Sequence, residues 1–227
     1  MKTTILPLLL ASTLLLTQCQ SAVGSDANQT LVDQFWRASS EPEQQQSNAR
    51  LLETETDVGA LYDQLKAGPA YSPDVPTGQL ELSRTAPDGT VFPYVVLVPE
   101  NYDPDRSYPV EFNLHGGVNR PPTAPGEPLW RQGYDGLRDP RRIVVIPAAW
   151  DDAFWWFDNQ ADNVPAILRS IKQTYNVDDN RVYLTGVSDG GTGSYFFAFM
   201  QPTEWAAFLP YIGNPGVLQN PAGQVSY

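Results

Sequence analysis

Gly186-Val187-Ser188-Asp189-Gly190 is the run of this chain best suited to chemistry. It follows the apolar stretch Val182-Tyr183-Leu184 and leads into small residues and then aromatics through Met200. Strand, sharp turn and helix in that order form the context in which a G-x-S-x-G match becomes a nucleophile elbow. Such a turn strains the serine backbone, and flanking glycines leave room for it. A serine hydroxyl is almost wholly protonated at neutral pH, so Ser188 would attack a carbonyl only when a neighbouring base takes its proton. The chain has a single histidine, His115, in Leu114-His115-Gly116-Gly117 at the end of another apolar run. Backbone N–H groups on a glycine loop can approach a developing oxyanion closely. Gly116 and Gly117 are therefore candidate donors, with the N–H of Asp189 as their partner. The Asp189 carboxylate reads as a stabiliser of the helix N-terminus on which it sits.

The elements that would position these residues follow from periodicity. Leu80 to Ser83 and Val91 to Val98 are β-rich runs joined through Pro87-Asp88-Gly89, a hairpin signal. Val110 to Leu114 is a short strand running into the His-Gly-Gly loop. Ile143 to Ile146 is an unbroken apolar run, as expected of a parallel strand covered on both faces. Asn163 to Tyr175 has a helical apolar face at Val164, Ile167, Leu168 and Ile171. A helix is expected from about Gly191 to Met200, and a further strand over Ala206 to Ile212. Strands alternating with helices give an α/β fold with a mostly parallel sheet and an N-terminal antiparallel hairpin.

Residues 1–24 read as an export signal. Lys2 is the only charge before Ser25, and the apolar run from Ile5 to Leu16 is too short to span a bilayer comfortably. Leu16-Thr17-Gln18-Cys19 resembles a bacterial lipobox, which would make Cys19 a lipidation site and anchor the protein to a membrane. The alternative is ordinary cleavage after Ala22-Val23-Gly24, which discards Cys19 and leaves a soluble secreted product. Either way no cysteine remains for an intramolecular disulfide. Residues 25–77 read as a polar tether and short helices. Val58, Leu61, Tyr62 and Leu65 lie on one helix face, Asp57 is an N-cap and Gly68-Pro69 a stop. That apolar face is expected to pack onto the following domain, residues 78–227. With 26 acidic residues against 14 basic ones and a net charge of −12, the surface would repel phosphate backbones, which argues against nucleic-acid binding.

The loop Trp150 to Asp158 follows a strand, so it lies at the carboxyl edge of the sheet, where open α/β sheets bind ligands. Trp150, Trp155 and Trp156 either wall a substrate pocket there or cap the core beneath a long loop. Asp151, Asp152, Asp158 and Asp162 lack a histidine and a regular calcium-loop spacing, and read as solvated carboxylates with no metal.

From Asp88 to Pro215 the chain resembles an α/β-hydrolase. It is similar to exported esterases around the polyhydroxyalkanoate depolymerases, feruloyl esterases and dienelactone-hydrolase-like enzymes. The likeness is carried by Pro93-Tyr94 through Pro99-x-x-Tyr102-Asp103-Pro104, by Tyr108-Pro109-Val110 and by Leu114-His115-Gly116-Gly117. Asn180-Arg181-Val182-Tyr183-Leu184-Thr185 and Gly186-Val187-Ser188-Asp189-Gly190-Gly191 complete it. The resemblance implies a cofactor-free serine hydrolase acting on small or polymeric carboxylic esters, with Ser188 as nucleophile and His115 bracing the oxyanion loop. In this fold the order is serine, acid, histidine. No histidine follows Ser188, and Glu204 comes too early to serve as the acid. The expectation is therefore that the last strands and the triad acid and base lie beyond Tyr227. Losing the base of a comparable triad costs on the order of a million-fold in turnover, so this piece alone should be nearly inactive. Two other readings stay open: a non-catalytic binder that keeps the pocket, and a peptidase of the prolyl-oligopeptidase type, whose elbows also read Gly-x-Ser-x-Gly-Gly.

Overall fold

The computed structural model describes residues 29–38, 41–54, 57–118, 120–121, 134–150 and 153–219. The segment read as an export signal, with Cys19, and Asp151 and Asp152 lie outside the described residues. The chain forms two compact units, one up to Ala70 and one from Tyr71.

In the first unit, residues 29–37 are helical (α1), followed by α2 (Glu41–Thr54) and α3 (Val58–Ala67). The stretch read as a polar tether and short helices is thus helical over 29–37, Glu41–Thr54 and Val58–Ala67. Its sparse apolar residues suffice because they meet: Val32, Leu51 and Leu61 are buried together, with Leu31, Phe35, Trp36 and Leu65 packed around them. Leu61 and Leu65 join this cluster, whereas Val58 and Tyr62 are exposed. Asp57 caps α3 by accepting from the N–H groups of Gly59 and Ala60 at 2.8 and 3.1 Å. Gly68 ends it at φ +77°, a conformation glycine adopts without a Cβ penalty.

The second unit is built on a six-stranded sheet of order β1-β2-β4-β3-β5-β6. The strands are β1 (Gly78–Thr85), β2 (Val91–Val98), β3 (Tyr108–Leu114), β4 (Ile143–Pro147), β5 (Val177–Val187) and β6 (Ala207–Tyr211), with a short helix, α4 (Tyr134–Leu137), ahead of β4. The pairs β1–β2 and β2–β4 are antiparallel; β3–β4, β3–β5 and β5–β6 are parallel. The hairpin turns at Gly89, φ +88°, where the Asp88 carboxylate accepts from the Thr90 N–H at 2.9 Å. Because β3, β4, β5 and β6 run in one direction, the loops after them emerge at one edge of the sheet.

Alternation along the strands divides two cores. Val110, Phe112, Leu114, Val182 and Leu184 pack with Val145 against α5 (Asp158–Thr174) and α6 (Asp189–Met200). On the other face, Val95 and Leu97 of β2 meet Val144, Ile146, Ala148 and Trp150. All five residues of β4 are buried, which explains its unbroken apolar run. Helix α5 starts at Asp158, five positions ahead of the expected start. Its first turns hide behind polar residues that are buried: Gln160 Nε2 donates to the Ala148 carbonyl at 3.1 Å, and Asn163 Nδ2 to Gln160 Oε1 at 3.0 Å. Both satisfy their polar groups inside, as buried amides must.

Candidate functional site

Strand β5 delivers Ser188 to the carboxyl edge, where the backbone turns at φ +56°, ψ −118°. For a residue with a Cβ this is a strained conformation, of a kind that costs about 1–3 kcal/mol and persists only where the surroundings enforce it. The surroundings do so sterically. A Cβ on Gly186 would lie 2.1 Å from the Gly190 carbonyl oxygen, and a Cβ on Gly190 2.0 Å from that of Leu114. Neither contact can exist, so β3, β5 and the first turn of α6 meet only because these positions have no side chain. The Ser188 N–H donates to the Tyr211 carbonyl at 2.9 Å, and the Ser188 carbonyl accepts from the Thr192 N–H at 2.9 Å. Ser188 is exposed, and its hydroxyl does not cap the helix.

The loop after β3 stands against this turn. A Cβ on Gly116 would sit 3.0 Å from the Ser188 Cβ and 3.6 Å from its Oγ. Gly117 follows at φ +68°. Its N–H, expected among the oxyanion donors, donates instead to Asp189 Oδ2 at 2.9 Å, and the Val118 N–H donates to the same oxygen at 3.1 Å. The reason is reach: the short Asp189 side chain, one residue past the turn, meets the loop amides, and bonds to an ionised acceptor are the stronger kind. The Asp189 carboxylate thus ties a loop 72 positions earlier in the chain, beyond the helix-terminus role expected of it. The N–H groups of Gly116 and Asp189 donate to no acceptor among the described residues.

His115 is engaged at both ring nitrogens. Nε2 accepts from the Ala149 N–H at 3.0 Å, which assigns the proton to Nδ1, and Nδ1 donates to the Gly116 carbonyl at 2.9 Å. The ring stacks on Trp150 (centroids 4.4 Å apart, 27° between planes) and meets Trp155 edge-on at 5.2 Å. Burial pushes the imidazole pKa below its ordinary value, opposed by the Gly116 bond and the Asp189 charge. The imidazole is therefore neutral, with neither nitrogen free to take a proton from Ser188.

Two of the three tryptophans considered for a pocket wall or a core cap are buried. Trp155 has no exposed surface; its Nε1 donates to the His115 carbonyl at 2.9 Å. Trp150 is buried on His115. Both indoles pack on His115, the position expected if they cap the core beneath the loop. Trp156 is half-buried and stacks on Phe154 at 4.8 Å. Glu204 pairs with Lys172 at 3.4 Å. Asp158 and Asp162 are exposed, and no group of acidic, histidine or cysteine residues among the described ones could hold a metal. A cavity of about 640 Å³ lies on the open sheet face beside Asn113, Tyr183, Thr185 and Leu209, and Ser188 does not line it.

Sequence reasoning missed four contributors: the Ala149 amide, the Tyr211 carbonyl, the Asp189 carboxylate and Ile212. Ile212 has φ +56° and is 87% exposed. The segment it opens is clipped to α6 where Asn214 N–H donates to Thr192 Oγ1 at 2.9 Å. Only the turn-forming Gly213-Asn214-Pro215 hinted at an irregular end to β6.

No protein-family model matches the chain. A bifunctional acetylxylan esterase/xylanase from Neocallimastix patriciarum is 30% identical over 122 residues, covering 52% of this chain and 17% of that protein. The crystal structure of a thermostable esterase superposes with a TM-score of 0.50 at 27% identity, over 60% of this chain and 41% of that one. An acetyl xylan esterase from Aspergillus awamori gives a TM-score of 0.47 at 18% identity, over 66% of this chain and 57% of that one. The chain spans less than half of the first two proteins.

Proposed function

We propose that this chain, which has the α/β-hydrolase fold of the esterases it resembles, carries the nucleophile and oxyanion hole of a serine esterase acting on carboxylic esters. The observation that carries the reading is the exposed Ser188 in a strained turn at a helix N-terminus, with the Gly116 backbone against its hydroxyl. In this reading Ser188 Oγ attacks the ester carbonyl, and the N–H groups of Gly116 and Asp189 receive the charge that develops on its oxygen. Two fixed donors at that position are worth several kcal/mol in the transition state. The base that takes the Ser188 proton is not His115, whose nitrogens are both occupied. In this fold that role falls to an imidazole oriented by a carboxylate.

Hydrolysis of p-nitrophenyl acetate by the protein tests the reading. Ser188→Ala should lower kcat by roughly a thousand-fold or more, and a fluorophosphonate should add its mass to the peptide holding Ser188. Turnover that survives the substitution would remove the assignment.

A further inference from the structure

We propose that the Asp189 carboxylate is a positioning residue that sets the geometry of the oxyanion hole, an inference resting on the esterase reading of Ser188. Of the two donors assigned above, the Asp189 N–H is fixed by the helix it opens. The other, on Gly116, belongs to a Gly-Gly pair, the sequence with the greatest backbone freedom to lose. Its partner Gly117 sits at φ +68°, and nothing in its own chemistry selects that conformation over its mirror image. What selects it is Asp189 Oδ2, which collects the Gly117 and Val118 N–H groups at 2.9 and 3.1 Å. The Gly116 carbonyl is held from the other side by His115 Nδ1. Gly116 is thus flanked by two clamps, and the one on its C-terminal side comes from the residue that bears the second donor. Both donors are therefore referenced to one residue. An oxyanion hole works only with donors about 2.7–3.1 Å from the developing charge, and a displacement of about 1 Å costs on the order of a hundred-fold.

Both amides bond to a single oxygen, so the geometry requires an acceptor atom and not a full carboxylate. An asparagine at 189 keeps that acceptor in its amide oxygen; an alanine removes it. Asp189→Ala should therefore lower kcat on p-nitrophenyl acetate roughly a hundred-fold with KM within about three-fold. Asp189→Asn should keep kcat within about five-fold of the parent. A second readout needs no turnover: amide hydrogen exchange at Gly117 and Val118 should quicken at least about ten-fold in Asp189→Ala and stay slow in Asp189→Asn. Unchanged kcat or unchanged exchange in Asp189→Ala would overturn the proposal, as would an Asn variant as impaired as the Ala one. If Asp189→Ala does not fold, Asp189→Ser, whose hydroxyl is too short to reach both amides, takes its place with the same expectations. Activity that persists in Ser188→Ala removes the esterase reading instead, and the exchange result still decides whether Asp189 holds the loop.

Discussion

At the elbow, a methyl group added to Gly186 or Gly190 would come within about 2 Å of a backbone oxygen. In the facing loop, the nearest neighbour of a methyl on Gly117 is the Arg120 guanidinium, at 3.2 Å. The two halves of the site touch each other, yet they are held by different physics. The elbow is shaped by exclusion: three backbone segments converge, and the serine conformation is what remains once side chains are forbidden. Beyond Gly116, whose Cβ would meet the Val187 carbonyl oxygen at 2.9 Å, the loop is shaped by attraction, through Asp189, the Ala149 amide, the stacked Trp150 and the edge-on Trp155 against His115. Exclusion is unforgiving and local. Attraction is graded, distributed over distant residues, and sensitive to protonation.

The difference is broken most sharply by paired glycine substitutions. Gly190→Ala should cost about 3 kcal/mol or more, because its Cβ meets the Leu114 carbonyl and backbone cannot step aside. Gly117→Ala faces a flexible side chain and a positive φ, which together amount to about 1–2 kcal/mol. Urea midpoints of the two variants measure this. A Gly117 variant less stable than the Gly190 variant would mean that the loop, and not the elbow, is the sterically determined half.

The same contrast explains what could be read from the amino acids alone. Gly186 and Gly190 announce themselves because a steric requirement leaves one residue type at each position and the two flank Ser188. The strands were legible for a similar reason: the all-buried β4 admits only apolar side chains. Hydrogen bonds across the fold leave no such mark. An aspartate after Ser188 is compatible with capping, solvation or a clamp, and only the approach of β3 to α6 makes it the third. Trp150 and Trp155 drew notice as aromatic residues near the ligand edge, but which way an indole faces depends on His115, 35 and 40 positions away. The first turns of α5 were missed because buried Gln160 and Asn163 look like surface residues until their internal partners are known.

A second experiment sharpens the attractive half through its one titratable ring. Burial holds the His115 pKa below its ordinary value near 6.5, whereas the unfolded chain titrates at that ordinary value. Above about pH 6.5 both states carry neutral imidazole and the loop keeps its full stability. As pH falls below that, the unfolded state takes up a proton that the folded ring resists, so stability drops by up to about 1.4 kcal/mol per pH unit until the folded ring titrates too. Denaturation midpoints from pH 7.5 to 5 should fall for the parent protein, and fall less steeply for His115→Gln, whose amide does not titrate. Parallel curves for the two proteins would mean that the ring is not held neutral by its surroundings.

The smallest effect concerns Ile212, the other residue besides Ser188 whose φ is positive without being glycine among those described. Both are held by neighbours rather than by preference, since the Ser188 N–H donates to the carbonyl immediately before Ile212 and Asn214 is tied to Thr192. A branched side chain at φ +56° costs energy that 87% exposure does not return through burial. Glycine adopts that conformation freely, although it also loosens the unfolded chain. The first effect is the larger here, and Ile212→Gly should stabilise the protein by about 0.5–1 kcal/mol, read as a raised urea midpoint with an unchanged slope. If the variant is instead less stable, the isoleucine side chain has a packing partner that repays its strain. Ile212 would then belong with the loop, held by attraction, and the left-handed conformation shared with Ser188 would have two different origins.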